Sequence, residues 1–449
     1  MYMCATFFGQ AQSIIFNRDT LKLNLVDTNL KVVDKIVPEF IVSHKVNLPQ
    51  NTIFFNGSIL FESDTISTFY CNWAFFQNLI VNHSIIKESV NIDSTPADLL
   101  HLKHSTFSKS IKIKDCKISN FAFSNNKLYG KGYFINLNLE SSLFDSTYFN
   151  KAVFFSKCTF ANSNLTSIFF VDNCIFNDCE FGNVSFAHST FNKTFDLSNI
   201  SLKGILNLDS VCFKKNLILS SLITTSQTNI TFFNTVFSDT LDLSYNPSLT
   251  NIIDLTKANF SNHKCALILN GTDISKIRLD YQYFKLAFKS RNDQNEISKN
   301  DKEILFEALL KNFREHGQND SYELLDIEYK DFKNEWFKLP HWWNCYGYHK
   351  EWIFYWVLGF LIIFTSINYV FLHDLMQIYL PVKGMRYVEM HGIDRIWFSF
   401  VYTFVIFFSF SLKIDRIKLE HKIGTLYILI VYAIGLICLA YMANFVLQK

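Results

Sequence analysis

The chain has 449 residues, enough for two or three domains, and a formal net charge of +2. This near-neutral balance excludes both a nucleic-acid-binding polycation and a polyanion. Aromatic residues make up 17% of the chain, with 48 Phe against 6 Pro and 14 Gly. The Phe residues concentrate in a repetitive central region and in the C-terminal third.

Residues 1–103 form the first region. Alternating runs such as LKLNLVDTNLKVVDKIV and NTIFFNGSILF predict strands, and CNWAFFQN resembles a worn repeat unit. Two interpretations of this region remain open. It is either a β-rich cap or the degenerate first coils of a solenoid, or it is a non-repetitive β-rich extension. The N-terminus has no Lys or Arg before Arg18 and no clean apolar core, so it is a poor secretory signal. We therefore expect the N-terminal part to stay on the cytoplasmic side.

Residues 104–280 are the predicted solenoid region. From about Ile118 to Lys193 they carry a period of five, which fits neither a helix nor a strand and indicates stacked repeats. After Ile118, Phe123 and Leu128, a segment GKGYF disturbs the period. Smaller residues precede many of the large ones by two positions, and Asn, Asp and Ser lie between them as turn formers. The expected repeat centres are Leu139, Phe144, Phe149, Phe154, Phe160, Leu165, Phe170, Phe176, Phe181, Phe186 and Phe191.

This pattern, clearest from Cys158 to Lys193, resembles the pentapeptide-repeat family. The resemblance implies a right-handed quadrilateral β-helix, a solenoid with about four pentapeptides per coil. One extra residue before Phe160 and another before Phe176 give a coil of 21 residues. The spacing predicts three stacked columns: Leu139, Phe160 and Phe181; Phe144, Leu165 and Phe186; and Phe149, Phe170 and Phe191.

Beyond Lys193 short alternating strands continue, and we expect the solenoid to end near Asp280. The ten Cys include no CxxC pair, which favours reduced thiols used as apolar filler. A metal site at Cys158, Cys174 and Cys179 is the alternative, but stacking in a repeat column explains these residues. We expect no metal, no cofactor and no catalytic residues, because no ligand spacing, catalytic triad order or phosphate loop occurs.

Residues 281–350 are predicted to be a helical linker. Helical spacing runs from Asp301 to His316, with Gly317 as a stop signal, and again from about Ser321 to Phe337. The segment PHWWNCYGYHKEW then places aromatic and basic residues together, a composition typical of a membrane interface.

Residues 351–449 are predicted to be an all-α transmembrane domain, following the solenoid and a helical hairpin. Trp352 to Leu372 and Thr425 to Leu447 are long enough to span a bilayer. Ile396 to Leu412 has 17 uncharged residues, about 25 Å of helix, which is the short limit for a span.

The layout of residues 300–447 resembles bacterial pentapeptide-repeat membrane proteins that end in a potassium-channel-like module of two helices and a pore loop. The elements that carry the resemblance are the hairpin ALLKNFREHGQNDSYELLDIEYKDFK, the turn CYGYHKEW, the segment DRIWFSFVYTF and the last helix with its central Gly. The filter signature is lacking: VIFFSFSLKID contains no Gly where carbonyl groups would line a filter. No filter residue is therefore carried over.

The number of membrane crossings is open from the sequence. If the middle segment re-enters, all seven Lys and Arg of residues 373–424 face outward, against the positive-inside rule. Charge placement therefore favours three crossings with Lys449 outside. The resemblance implies two crossings with Lys449 inside.

Polar residues in the apolar segments are the candidate pore-lining positions: Asn368, Thr403, Ser409 and Asn444. The alternative is that these groups hydrogen-bond between helices or to their own backbone and hold the helices together.

Two functions follow, neither enzymatic. The first is a degenerate ion-channel-like module that the cytoplasmic β-helix controls or localises. The second is a membrane-tethered scaffold whose β-helix binds a protein and whose helices only anchor. Both place a multi-pass protein in the bacterial inner membrane, with the lipid bilayer, a protein partner on the β-helix and further copies of the chain as partners. Nucleic acid is not expected, and the nine Lys against six acids in residues 104–193 argue against a DNA mimic.

Overall fold

The structure is a computed structural model. It describes residues 12–15, 53–62, 65–66, 69–72, 74–260, 264–289, 297–334, 338–379, 392–408, 417 and 422–447. The chain divides into two compact units, residues 1–322 and residues 323–449, and each is considered by itself.

The first unit is a β-solenoid of parallel strands. In the described residues its strands form sheets of twelve (sheet A), eleven (sheet C) and ten (sheet B) strands, with a two-stranded sheet D. Sheet A comprises Gln12–Ile15, Ile53–Glu62, Ala74–Asn82, Ala97–Lys103, Lys117–Ser124, Asn138–Leu143, Thr159–Asn164, Glu180–Ser185, Ser201–Leu202, Ile205–Asn207, Ile223–Thr224 and Asn229–Thr231. Sheet B comprises Thr65–Ile66, Ile85–Ile86, Thr106–Phe107, Lys127–Leu128, Tyr148–Phe149, Phe169–Phe170, Thr190–Phe191, Cys212–Phe213, Val236–Phe237 and Asn259–Phe260. Sheet C comprises Phe69–Asn72, Val90–Asp93, Ile111–Lys114, Gly132–Ile135, Val153–Ser156, Cys174–Asn177, Phe195–Asp196, Leu217–Ile218, Thr240–Asp242, Cys265–Ile268 and Phe284–Ala287, and sheet D pairs Ile253–Asp254 with Ile277–Arg278.

Each coil passes through sheets A, B and C in turn, and its strands in sheet A cover two faces. The two faces separate in the later coils, where Ser201–Leu202 and Ile205–Asn207 both pair with the single strand Glu180–Ser185. The solenoid is therefore four-sided, as the resemblance implies. Alternate residues point inward, and stacked Phe rings fill the interior, as between Phe149 and Phe170 with centroids 4.9 Å apart.

The register between coils is 21 residues over the central region. Leu139 pairs with Phe160 and Phe160 with Phe181, and the same step relates Phe149, Phe170 and Phe191. Ten of the eleven expected repeat centres are buried in the interior: Leu139, Phe144, Phe149, Phe160, Leu165, Phe170, Phe176, Phe181, Phe186 and Phe191. These side chains are structural and are not exposed for binding.

Phe154 is the exception, and its assignment as a repeat centre is corrected. Its side chain points outward and stacks on Tyr133 with ring centroids 5.4 Å apart. Phe155 occupies the interior instead, stacked on Phe176 at 4.3 Å. The extra residue of each coil lies at the corner between sheets B and C, before Phe155 rather than before Phe160. The next coil repeats this arrangement from Phe170 to Phe176.

Two corners of each coil pass through the left-handed backbone region. Among the described residues, sixteen non-glycine positions of the solenoid have φ between 49° and 60°. They form two rows, which are His83, His104, Asn125, Ser146, Ser167, His188, Ser210 and Asn234, and Ser94, Asp115, Asn136, Lys157, Asp178, Asn199, Ser221 and Tyr245. Asn, Asp and Ser predominate because their short polar side chains tolerate this conformation.

The structure also defines the two ends of the solenoid. Strands from Ile53 onward belong to the same sheets as later coils, which favours degenerate coils over a non-repetitive extension before residue 104. After Phe191 the coils lengthen, so that Phe191 pairs with Phe213 and Phe213 with Phe237. The last strand, Phe284–Ala287, lies a few residues beyond the expected end at Asp280.

Helix α1, Lys299–Glu315, covers the C-terminal end of the solenoid. Ser298 caps it by accepting a hydrogen bond from the Asp301 amide, and Gly317 follows it with φ +67°. Its buried residues Leu305, Phe306, Leu309 and Phe313 face the coils, and the Asn312 side chain donates to the Ile274 carbonyl at 2.9 Å. This helix closes the open end that a solenoid must protect.

The remaining helices are α2 (Asn319–Lys333), α3 (Leu339–Asn344), α4 (Trp352–Ile378), α5 (Ile393–Phe407) and α6 (Lys422–Leu447). Helices α4 and α6 are antiparallel. Phe354 near the start of α4 packs on Phe445 near the end of α6, with ring centroids 5.5 Å apart. At the other end a Cβ on Gly424 would overlap the Ile378 side chain.

The antiparallel pair is incompatible with three crossings, because a crossing by α5 would require α4 and α6 to run parallel. Helix α5 has 15 residues, about 22 Å, and is shorter than the roughly 30 Å apolar layer of a bilayer. Charge placement alone favours three crossings, because it contains no information about which helices pair.

The adjacent residues Phe154 and Phe155 test the position of the extra residue. We expect Phe155→Ala to destabilise the solenoid by about 3–5 kcal/mol, because it empties an interior site. Phe154→Ala should cost no more than about 1 kcal/mol, since an outward ring is lost. Urea unfolding of the two variants in detergent micelles, followed by far-UV circular dichroism, measures the difference. A larger loss for Phe154→Ala would place the extra residue before Phe160.

Candidate functional site

Two of the predicted pore-lining residues, Asn368 and Thr403, meet inside the helical unit. The Asn368 side-chain amide donates a hydrogen bond to the Thr403 hydroxyl at 2.7 Å, and that hydroxyl donates to the Ser399 carbonyl at 2.8 Å. The Tyr427 hydroxyl on α6 donates to the side-chain oxygen Oδ1 of Asn368 at 2.9 Å. Asn368 and Thr403 are 1% and 0% exposed. This cluster joins α4, α5 and α6 through polar groups that satisfy one another.

The other two predicted positions are not in this cluster. Asn444 is exposed on the last turn of α6, which ends at Leu447. Ser409 lies outside the described residues. Sequence reasoning missed Tyr427 and Tyr402, although a Tyr within an apolar segment already indicates a hydroxyl that needs a partner. The Tyr402 hydroxyl lies 3.0 Å from the Tyr379 carbonyl oxygen, so it fastens α5 to the end of α4.

Helix α5 ends half-way along the α4–α6 pair. The rings of Phe407 and Phe364 are 6.3 Å apart, and Phe364 is the thirteenth of 27 residues in α4. A Cβ on Gly435, the fourteenth of 26 residues in α6, would overlap the Phe407 carbonyl oxygen. Only glycine permits this close approach of two backbones.

At the opposite end of α5, Arg395 contacts the last third of α4. Its guanidinium group donates to the Val370 carbonyl at 3.3 Å and lies 4.9 Å from the Tyr369 ring centroid. Helix α5 therefore begins near the C-terminal end of α4 and descends to the middle of the pair.

The segment before α4 is held against α2 by tyrosine–carboxylate hydrogen bonds. The Tyr346 hydroxyl donates to Asp331 at 2.8 Å, and the Tyr348 hydroxyl donates to Asp326 at 2.7 Å. The Lys330 ammonium group pairs with Asp326 at 2.6 Å and lies over both rings. Burial and the hydrogen bond to Asp331 raise the pKa of Tyr346 to about 12, so its hydroxyl keeps its proton.

Trp343 on α3 continues this contact towards the apolar helices. Its ring stacks on Trp356 at 5.7 Å and contacts Tyr441 at 5.8 Å. The aromatic cluster predicted at residues 340–352 thus packs at the end of the helical unit where α4 starts and α6 finishes.

Most described cysteines of the solenoid are buried filler, and Cys212 is half-buried. Cys158 and Cys179 lie one coil apart in one column, while Cys174 lies in the interior of sheet C, so the three predicted alternative ligands do not converge. Burial raises the pKa of Cys116 and of Cys265 to about 12, which keeps both thiols protonated. Among the described residues no group of three or more His, Cys, Asp or Glu is arranged to hold a metal ion.

Comparison of the chain with protein-family models, with curated proteins and with solved structures finds no match. The resemblances to pentapeptide repeats and to a channel module therefore rest on the residue patterns. The structure itself shows a β-solenoid followed by helices, two of which are long and apolar enough to span a membrane.

Asn368 and Asn444 form a matched pair for testing the buried cluster. We expect Asn368→Leu to destabilise the helical unit by about 1–2 kcal/mol, because the Tyr427 hydroxyl loses its partner in an apolar setting. Asn444→Leu should leave stability unchanged, since Asn444 is exposed. Unfolding of the purified chain in mixed detergent micelles with increasing sodium dodecyl sulfate measures both. Equal stability of the two variants would contradict a structural role for Asn368.

Proposed function

We propose that the chain is a membrane-anchored scaffold: two helices cross the bilayer and hold a β-solenoid that binds a protein partner. Among the described residues two helices are suited to cross, α4 with 27 residues and mean hydropathy 1.9, and α6 with 26 residues and mean hydropathy 2.4. At 1.5 Å per residue, each exceeds the roughly 30 Å apolar layer.

The antiparallel packing of α4 and α6 supports two crossings. The start of α4 and the end of α6 then lie on one side of the bilayer, and α5 enters and leaves from the other side. We place the solenoid and Lys449 on the cytoplasmic side of the bacterial inner membrane. The free thiols of the described solenoid residues support this orientation.

The buried Asn368–Thr403–Tyr427 cluster is the observation that favours an anchor over a pore. An ion pathway needs polar groups free to replace the water around the ion. Here the two described candidates nearest the middle of the pair are fully buried and hydrogen-bonded to neighbouring helices of the same chain. They contribute packing energy and are not presented to a permeant ion.

The second candidate is a channel-like module, with a pore formed between copies of the chain. The observation that favours it is helix α5, which ends half-way along the spanning pair at Phe407. Backbone that ends at membrane depth must be covered by protein or line an aqueous cavity. A homo-oligomer could provide either, with the solenoid localising or controlling the module.

Flux measurements separate the two candidates. The full chain is reconstituted into liposomes that contain a potassium gradient, and potassium and chloride flux are measured at increasing protein density. We expect flux no greater than in protein-free liposomes, because the polar groups of Asn368, Thr403 and Tyr427 are paired with one another. A flux that rises with protein density and changes in a Ser409→Ala variant would overturn the anchor and favour the channel-like module.

A further inference from the structure

Two rows of outward-facing side chains change from basic to aromatic along neighbouring faces of the solenoid. On sheet C, Lys112 is followed in register by Tyr133 and then Phe154. On sheet B, Lys127 is followed by Tyr148 and then Phe169. The sheet B row is displaced by one coil, so that Lys127 precedes Tyr133 and Tyr148 precedes Phe154 across the turn from sheet B to sheet C. The two basic residues and the four rings therefore flank one corner of the solenoid.

The corner itself adds two more lysines. The chain turns from sheet B to sheet C between Leu128 and Gly132, and again between Phe149 and Val153. Lys131 and Lys151 lie in these turns, and both are exposed. We call the surface formed by the two rows and these two lysines the basic-aromatic corner.

The lysines of this corner differ from others on the solenoid. Within the part of the chain that the structure describes, Lys117, Lys193, Lys203 and Lys215 each pair with a carboxylate at 2.6–3.6 Å. Lys112, Lys127, Lys131 and Lys151 form no such ion pair among the same residues, and all four are exposed. Asp115 and Asp172 are close enough to Lys112 and Lys151 to interact with them electrostatically, but they form no ion pair with them. The corner therefore carries an excess of positive charge, although the whole chain is nearly neutral.

The aromatic rings present their edges. Tyr148 and Phe169 are stacked with an interplanar angle of 4°, and Tyr133 and Phe154 with 10°, so neighbouring rings cover one another's faces. The edge of an aromatic ring carries partial positive charge, while its CH groups give apolar contact. The surface is thus complementary to carboxylates interspersed with apolar side chains.

We propose that the basic-aromatic corner is the site where the solenoid binds an acidic, partly apolar segment of a protein partner. This proposal rests on the scaffold function and names the chemistry of the partner. Carboxylates would meet the four unpaired lysines and the ring edges, and apolar side chains would lie along the rings.

Nucleic acid fits this surface less well. Single strands bind by stacking bases on exposed ring faces, and in each two-ring row one face of each ring is covered by the other ring. The rows also contain no Arg, the residue most used for phosphate forks and base edges.

Binding of defined probes to the purified full chain in detergent micelles tests the proposal. The probe is a fluorescent peptide in which Glu alternates with Leu and Phe, measured by anisotropy. A peptide with Gln in place of Glu, and a fluorescent oligothymidine, are compared with it. We expect the Glu peptide to bind more tightly than either of the other probes.

Two quadruple variants with the same change in net charge provide the matched comparison. K112Q/K127Q/K131Q/K151Q should weaken binding of the Glu peptide about tenfold or more, because positive charges facing the ligand are removed. K117Q/K193Q/K203Q/K215Q should change it less than about twofold, because those lysines are already paired with carboxylates. Lys193 and Lys215 also lie between sheets B and C, but on later coils than the aromatic rows. Tyr133→Ser with Phe154→Ser should weaken both peptides while leaving the solenoid folded.

The proposal is overturned if the Glu peptide does not bind, if both quadruple variants weaken it equally, or if oligothymidine binds more tightly through the same four lysines. The assay uses micelles and does not depend on membrane topology or ion flux. Failure of the peptide to bind is therefore distinguishable from failure of the membrane anchor.

Discussion

The structure depends on each coil bringing the chain back into register with the coil before it. Parallel strands pair only if each residue meets its counterpart one coil later, and over the central region this requires 21 residues. Two corners per coil bring the chain back through left-handed backbone, mostly at Asn, Asp, Ser or His. Because the register between coils is constant, side chains stack in columns, so that Phe rings fill the interior and the outer faces repeat. The basic-aromatic corner is a consequence of this registration.

The solenoid was largely predictable from sequence because its period differs from those of helices and strands. The coil length and the columns of Leu139, Phe160 and Phe181 followed from spacing alone. The position of the extra residue did not, because Phe occupies both 154 and 155 and either satisfies the apolar pattern. Only the requirement that every coil turn at the same corner selects Phe155. The aromatic rows on the outside could likewise not be predicted from the sequence, because only the register between coils places Tyr148 beside Phe169.

In the helical unit, the sequence predicted the helices better than their packing. Hydropathy located α4 and α6, but charge counting favoured a third crossing that their antiparallel packing does not allow. The buried cluster was half foreseen, since Asn368 and Thr403 were singled out while Tyr427 was not. Pairing between helices distant in sequence depends on local shape, such as the contact of Gly435 with the backbone of Phe407, and shape of this kind leaves no periodic signal.

The central claim is that two helices anchor the solenoid, which places the solenoid and the C-terminus on one side of the membrane. Reporters that are active only on one side test this directly when fused after Lys449, before Met1, and within residues 381–391. The account predicts that both terminal fusions report the cytoplasm and that the internal fusion reports the opposite side. Locations of the two termini on opposite sides of the membrane would contradict the account and would favour three crossings.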